Sequence, residues 1–309
     1  MHNTERPQIA SMSNPSADRV KDVAQLSGRS ARSRRGLFLA EGPQTVKEAL
    51  KLDRTRCGSG KVVVEIYATA ASVKRDPELL ELLNGVPWRA ASDEVLAAMA
   101  DTVNPQGVVA VCHKVDVSLQ SVLDRQPRLI AVMCRVQDPG NAGTILRAAD
   151  SAGADAIILT SGSVDIYNPK AVRSTVGSLF HLPVVVGQDF NVLVAQAGQI
   201  GLVSLAADGY GSEDLDTLQD ESAERYYKAH GIRAAEIAMP QNSRVDAARP
   251  RLEDPSFWLF GNEAKGLNGE ELGASRFRVA VPLYGRAESL NVGTAATVCL
   301  YASARAQRR

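Results

Sequence analysis

The chain has 309 residues, of which 45% are hydrophobic and 23% charged, and its 35 basic residues balance 35 acidic ones. This length predicts two domains, each with its own core. No apolar run reaches membrane-spanning length, which argues against a membrane protein. Zero net charge argues against strong non-specific binding to nucleic acid unless the charges are unevenly spread.

The charges are unevenly spread along the chain. An acidic block occupies 213–224, and basic side chains crowd the N-terminal part: Arg19, Lys21, Arg29, Arg32, Arg34 and Arg35. A basic run of this kind is either a solvated loop or a basic face, and both interpretations stay open. The four Cys and four His are scattered, so we expect reduced thiols, no metal site and a cytoplasmic location.

The first third of the chain predicts a small α/β domain. Residues 1–18 are polar and lack the apolar core of a signal peptide, which predicts a disordered tail. Strands and helices then alternate over 19–115, as in a small α/β sandwich. We predict strands at 37–42, 61–69 and 107–115, and helices at 17–27, 43–52, 76–85 and 92–101.

A linker with a short helix is predicted over 116–127, followed by a larger α/β domain over 128–309. Its strands are nearly continuous apolar runs, which is typical of a parallel sheet covered on both faces. We predict strands at 128–136, 155–162, 182–187, 201–209, 257–263 and 277–284, and helices at 140–154, 168–181, 191–199 and 290–306. Residues 209–255 break the alternation and are interpreted as an insertion with some helix, either a surface excursion or a contact to nucleic acid.

Three segments place small and polar residues where a predicted strand ends: DPGNAGTILR at 138–147, FGNEAKGL at 260–267 and AESLNVGTAATVCL at 287–300. Ligands collect at the carboxyl ends of parallel strands, so the three loops are candidates for one site. Taken singly each is ambiguous. Arg147 is either a surface residue or an anion-holding group, Glu263 must be paired because it follows a buried strand, and Ser289 suits a helix N-cap.

In combination and in this order, the three motifs resemble the SpoU/TrmH family of RNA ribose 2′-O-methyltransferases, within the SPOUT superfamily, over about 128–308. The FLAEG element at 38–42, inside 19–115, resembles the RNA-substrate-binding domain of many members. The resemblance implies a C-terminal parallel-sheet domain with a trefoil knot and a small N-terminal α/β domain that is L30e-like. It also implies S-adenosylmethionine as cofactor, a structured RNA as substrate, with ribosomal RNA favoured, and a homodimer with the active site at the subunit interface.

The resemblance also assigns roles to individual residues. The implied catalytic residues are Arg147, Asn141, Glu263, Ser289 and Asn291. The implied cofactor contacts are Ala206, Ala207, Gly261, Val281, Leu283 and Leu290. The implied RNA contacts are Arg29, Arg32, Arg34 and Arg35. No metal is required, because the leaving thioether is neutral.

Three alternatives remain open at this point. The substrate could be transfer RNA, or the protein could bind RNA without catalysing a reaction on the same scaffold. A nucleotide-dependent dehydrogenase would also have a doubly wound sheet, but the chain lacks the GxGxxG fingerprint and the acidic residue that should follow it.

Overall fold

The computed structural model describes residues 11–56, 58–231 and 249–309. The strands are β1 (Leu37–Glu41), β2 (Val63–Ala68), β3 (Arg89–Ala90), β4 (Val108–His113), β5 (Leu129–Met133), β6 (Ala156–Thr160), β7 (Val184–Gln188), β8 (Val203–Ala207), β9 (Glu213–Asp214), β10 (Ser256–Phe260) and β11 (Phe277–Ala280). The helices are α1 (Asp18–Ala24), α2 (Arg29–Arg35), α3 (Pro43–Thr55), α4 (Ala70–Arg75), α5 (Pro77–Leu82), α6 (Asp93–Met99), α7 (Leu119–Leu123), α8 (Pro139–Ser151), α9 (Pro169–Thr175), α10 (Phe190–Gln199), α11 (Leu215–Ala229), α12 (Gly269–Ala274) and α13 (Val292–Gln307).

These elements form two compact units. The first comprises Met1–Val115 and Asp165–His181, and the second comprises Asp116–Val164 and Leu182–Arg309. Asp165–His181 therefore belongs by its contacts to the first unit, although the sequence placed it inside the 128–309 domain. None of the helices in the described ranges is long and apolar enough to cross a membrane.

The first unit is built on a four-stranded sheet in the order β1-β4-β2-β3. Strand β4 runs antiparallel to β1 and β2, and β3 is parallel to β2. Helix α9 packs against β1, and the ring of Phe38 lies 4.8 Å from the Tyr167 ring and 6.0 Å from the Phe180 ring, centroid to centroid. These aromatic contacts explain why the later chain segment belongs to this unit.

A buried ion pair also holds the later segment in the first unit. The guanidinium of Arg32 bonds the Asp165 carboxylate at 2.9 Å, and the side chain of Arg32 is only 2% exposed. The same guanidinium donates to the backbone oxygens of Leu26 and Ser27. Its charge and its donors are therefore satisfied inside the protein.

The second unit contains a parallel seven-stranded sheet in the order β7-β6-β5-β10-β8-β11-β9. Every residue of β5, β6 and β10 is buried, as the continuous apolar runs predicted. Helix α13 packs against β5, β8 and β10, and the indole N–H of Trp258 in β10 donates to the Ser303 hydroxyl at 2.9 Å. Near the end of the helix, Gln307 donates to the backbone oxygens of Arg128 and Asp254, just before β5 and β10.

The structure corrects two expectations about local structure, for the tail and for Ser289, and gives detail on two segments whose interpretation was open. The predicted tail is paired in its described part, because Met12 exchanges backbone hydrogen bonds with Ala90 and Ser92. The arginine run forms helix α2 rather than a loop. Helix α13 begins at Val292 with Asn291 as N-cap, so Ser289 is not its cap. Within 209–255, β9 and α11 are regular structure, whereas 232–248 lie outside the described residues.

Candidate functional site

The sheet order brings the predicted site segments to one edge of the second unit. Strands β5, β10, β8 and β11 are consecutive neighbours and parallel, with Phe260 opposite Met133 and Leu259 opposite Ala206. Their carboxyl ends therefore lie side by side. The first motif follows β5, the second follows β10 and the third follows β11.

The Glu263 carboxylate binds the N-terminus of helix α8. It accepts hydrogen bonds from the backbone N–H groups of Gln137 at 3.1 Å and Asp138 at 2.9 Å. Asp138 is the N-cap of α8, with Pro139 at the first helical position, which is a recognisable helix start in the sequence. The positive end of the helix dipole and the free N–H groups both favour a carboxylate here.

These contacts change the acidity of Glu263. Partial burial acts to raise the pKa of this carboxyl group, but the N–H donors of Asp138 and Gln137, with the amide of Asn141, outweigh burial and hold the pKa below its usual range. Glu263 is therefore an anion at neutral pH, and it serves as a fixed acceptor rather than as a proton donor.

Two asparagines connect this carboxylate to the third motif. Asn141 donates its Nδ2 to Glu263 at 3.1 Å, and its Oδ1 accepts from Nδ2 of Asn291 at 2.9 Å. The Oδ1 of Asn291 accepts from the backbone N–H of Gly293 at 2.9 Å. Because a carboxylate can only accept and a backbone N–H can only donate, both amide orientations follow from the two ends of this chain of bonds.

The turn after β10 is held in several ways. Asn262 and Gly266 exchange backbone hydrogen bonds, and Asn262 donates its Nδ2 to the Arg135 carbonyl at 3.1 Å. A Cβ atom on Gly261 would lie 2.3 Å from the Gly266 carbonyl carbon, so only glycine fits there. The sequence predicted Gly261 as a residue that lets a ligand approach the backbone. In the structure, its missing side chain is what allows the turn after β10 to form.

Arg135 is a site residue that the sequence did not reveal. Its backbone has φ +59°, and its guanidinium binds Glu271 at 2.6 Å and the Gly266 carbonyl at 3.3 Å. The Glu271 side chain also belongs to the capping box of α12, which Asn268 opens. The capping pattern is readable in the sequence, but the left-handed conformation of an arginine is not.

Arg147 and Ser289 lie outside the hydrogen-bonded network. Arg147 projects from α8 and is exposed, and neither side chain bonds another residue in the ranges that the structure describes. Helix α8 packs closely on α13, since a Cβ atom on Gly293 would lie 2.7 Å from Cγ2 of Thr144. The structure thus joins Asn141, Glu263 and Asn291 directly, and it gives Arg147 and Ser289 no partner among the residues it describes.

The residues predicted to contact a cofactor occupy neighbouring strand ends. Ala206 and Ala207 end β8, Gly261 follows β10, and Val281 follows β11. Leu283 and Leu290 lie on the connection from β11 to α13, where Leu283 is 41% exposed. These side chains are small or aliphatic, which fits the backbone-and-apolar contacts that an adenosine group needs.

The predicted RNA contacts in the first unit divide into two groups. Arg29 and Arg34 line an open groove with Ser30 and Ser33 and are exposed. Arg32 is buried against Asp165 and is 2% exposed, so its guanidinium is not accessible to RNA in this structure. Arg35 is occupied by Asp22, to which it bonds at 3.2 Å. Arg32 and Arg34 differ because residues two positions apart in a helix face different directions.

The described residues contain no cluster of three or more His, Cys, Asp or Glu side chains that could hold a metal ion. The free thiols of Cys112, Cys134 and Cys299 are buried. Burial raises the pKa of each of these thiols well above its ordinary value. They behave as core residues rather than as nucleophiles.

Comparison with protein families identifies the class to which this fold and site belong. The model of the SpoU rRNA Methylase family matches residues 128–301, and that of the MRM3-like substrate binding domain matches residues 17–110. The first match covers more than half of the chain, and the chain belongs to the SpoU rRNA methylase family.

Individual relatives extend the similarity over nearly the whole chain. It is 34% identical to the 23S rRNA (guanosine(2553)-2′-O)-methyltransferase RlmP of Bacillus subtilis, over 95% of this chain and 98% of the relative. It is 28% identical to the 23S rRNA (uridine(2479)-2′-O)-methyltransferase of Streptomyces viridochromogenes, over 91% and 87% of the two chains. It is 25% identical to human mitochondrial rRNA methyltransferase 3, over 95% and 74%.

Solved structures share the fold. The SpoU methyltransferase AviRb from Streptomyces viridochromogenes, solved in complex with the cofactor AdoMet, superimposes with a TM-score of 0.69 at 25% identity, over 94% of this chain and 98% of that one. An RNA 2′-O ribose methyltransferase superimposes with a TM-score of 0.72 at 24% identity, over 97% and 99%.

Proposed function

We propose that this protein transfers a methyl group from S-adenosylmethionine to a ribose 2′-hydroxyl of ribosomal RNA. The observation that carries the proposal is the bonded chain Glu263–Asn141–Asn291, which joins all three motifs of the family at one sheet edge. Two of the relatives are named as 23S rRNA 2′-O-methyltransferases, which favours ribosomal RNA over transfer RNA.

The strand ends of β8, β10 and β11 would hold the cofactor. Backbone groups near Ala207, Gly261 and Val281 would bind its adenosine part, and Leu283 and Leu290 would cover it. When bound there, S-adenosylmethionine supplies an electrophilic methyl group on a cationic sulfur. The protein must then align the attacking ribose oxygen and assist the loss of its proton.

Arg147 would orient the ribose. Arginine does not readily lose a proton, so we assign it to binding the adjacent phosphate and polarising the 2′-hydroxyl, with the proton passing to phosphate or water. The free and exposed side chain of Arg147 supports this role, since no described residue competes for it. Asn141, Asn291 and the anionic Glu263 would fix the walls of the site, and Ser289 would contact the substrate or the cofactor from the third motif.

We also propose the trefoil knot, the homodimer and the L30e-like first domain that the family resemblance implies. Strand β10 lies between β5 and β8, which both precede it in the chain, and this order is compatible with threading of the C-terminal helix. On α13, Val298 and Tyr301 are 38% and 48% exposed. A second copy that covers this face would bring its own residues next to Arg147 on the neighbouring α8.

The test is methyl transfer to an unmodified 23S rRNA transcript, with a methyl-labelled cofactor. We expect label at one nucleotide whose 3′ linkage resists alkaline cleavage, because a methylated 2′-oxygen cannot attack the phosphate. A transcript with 2′-deoxyribose at the mapped position is the matched control and should accept no label. Label on a base would contradict the proposal. RNA binding without cofactor binding in calorimetry would instead indicate a catalytically silent protein.

A further inference from the structure

The first unit contains a cavity of about 260 Å³ that the proposed methyl transfer does not use. Three chain segments form its wall: the end of β1 with the start of α3, the loop before β4, and the end of α9. Its volume lies just below the usual range for small-ligand sites, ~300–1,000 Å³. It is therefore large enough for a single planar ring system but not for an extended chain of nucleotides.

A buried carboxylate lies in the wall of this cavity. The Glu41 side chain is 3% exposed, and Nη1 of Arg173 binds its Oε2 at 2.9 Å. The backbone N–H groups of Asp101 and Thr102 also donate to Glu41, at 3.0 and 3.3 Å. Among the described residues, the Asp101 N–H alone is bonded to Oε1 of Glu41, so this oxygen keeps acceptor capacity.

The charge balance of the wall disfavours an anionic ligand. Arg173 divides its guanidinium between Glu41 and Asp101, which it binds at 3.0 Å. Two carboxylates thus face one guanidinium, and the group carries a net negative charge. A phosphate would be repelled, whereas a neutral ring with N–H donors on its edge would find acceptors.

The rim of the cavity combines unused amides with exposed aliphatic side chains. Asn104 and Gln106 line the cavity, and their side chains form no hydrogen bond to any residue that the structure describes. Val103, which directly precedes Asn104 in the same loop, is 91% exposed. On the opposite segment, Val176 is 42% exposed.

Val176 is also strained. Its φ is +53°, a conformation that β-branched residues rarely adopt. Such strain persists only where the surroundings impose it, and it concentrates at ligand sites. Here it ends helix α9 and places an aliphatic residue in the cavity wall.

We propose that this cavity binds one unstacked nucleobase of the RNA substrate. Val176 in the cavity wall would contact the face of the base, as apolar side chains do with flipped bases. The amides of Asn104 and Gln106 and the free oxygen of Glu41 would bond its edge. The inference rests on the proposed function for the identity of the RNA. It also gives helix α9 a role in substrate binding, although the sequence placed this segment in the methyltransferase domain.

The test compares the double variant Asn104→Ala/Gln106→Ala with Asn84→Ala, which removes an exposed amide elsewhere in the same unit. The probe is an unmodified 23S rRNA transcript without cofactor. We expect the double variant to bind about tenfold more weakly, through the loss of two hydrogen bonds, and Asn84→Ala to bind like the wild type. Thermal unfolding should be the same for all three proteins because the replaced side chains are exposed.

Chemical probing of the bound RNA identifies the contacted group. Reagents that modify the pairing edges of bases should show one base protected by the wild type and by Asn84→Ala, and released in the double variant. Unchanged affinity of the double variant, or protection of the sugar–phosphate backbone alone, would overturn the inference. Protection of the base without methyl transfer would contradict the proposed function and support base binding in the cavity. Methyl transfer without protection of the base would support the proposed function and contradict base binding in the cavity.

Discussion

The sequence predicts the position of the polar residues in the three motifs well, and that of the arginines in 29–35 poorly. In the motifs, Asn141, Glu263 and Asn291 are 28 to 150 positions apart and yet are joined by hydrogen bonds. In the arginine run, Arg32 is buried while Arg29 and Arg34 are exposed. Parallel strands force distant loops together, so residue chemistry at strand ends predicts a shared site, whereas a charge run does not predict which of its members reach solvent.

The largest expected effect is a loss of activity on replacing Arg147, which follows the first motif's asparagine in α8. Arg147→Ala should lower kcat by roughly 10²–10⁴, the scale for a group that assists proton transfer, and should leave cofactor affinity unchanged. The measurement is single-turnover methylation together with calorimetry of cofactor binding. Arg125→Ala removes an exposed arginine two residues after the end of α7 and is the matched control. Wild-type rates for Arg147→Ala would end its assignment.

The second effect concerns stability and tests the arginine run. Arg32→Met leaves Asp165 without its buried partner, and breaking such a pair destabilises a protein by about 3–5 kcal/mol. Chemical denaturation should show this loss, whereas Arg29→Ala should stay within about 0.5 kcal/mol of the wild type. Equal stability of the two variants would mean that the two arginines do not differ as the structure shows.

The third effect tests whether amide orientation in the network matters. Asn141→Asp keeps the shape of the side chain but places a second carboxylate against Glu263, which can only accept. Like charges in contact should distort the site, so we expect a loss of activity of about 10–100-fold, which corresponds to ~1.4–2.8 kcal/mol. Asn141→Ala removes the bond without the repulsion and should lose less. The reverse order in kcat would contradict the network.

The smallest effect is a pH dependence at Glu263. Its folded-state pKa is lowered, so its contribution to stability is present above the unfolded pKa of about 4.3 and is lost as the pH falls through the folded value. Glu263→Gln should be less stable than the wild type at pH 7 by about 1 kcal/mol or less, because the site is exposed. The difference should shrink below about pH 4.3. A difference that is constant from pH 7 to pH 3 would contradict this account.

The sequence predicted much of the fold because its strongest signals are local. The apolar runs that became β5, β6 and β10 and the helix start at Asp138-Pro139 are visible in the residues themselves. The strand order is not visible, because β10 enters between β5 and β8 through tertiary packing. The membership of Asp165–His181 in the first unit also depends on distant partners such as Arg32 and Glu41.

The candidate site was predicted in part. The residues that bond one another were recognised from their motifs, but their supporting groups were not. Arg135 acts through a left-handed backbone and a partner in α12, and neither leaves a pattern in the sequence. Ser289 suited an N-cap by type, and Asn291 took that position, because both residues cap helices well and only the start of the helix decides between them.

The position of Asn291 at the start of the final helix has a consequence for synthesis of the protein. A nascent chain that extends only to residue 290 contains Asn141 and Glu263 but lacks both the asparagine that completes their bonded chain and the helix that covers β5, β8 and β10. The site therefore cannot assemble before Asn291 and helix α13 have been synthesised.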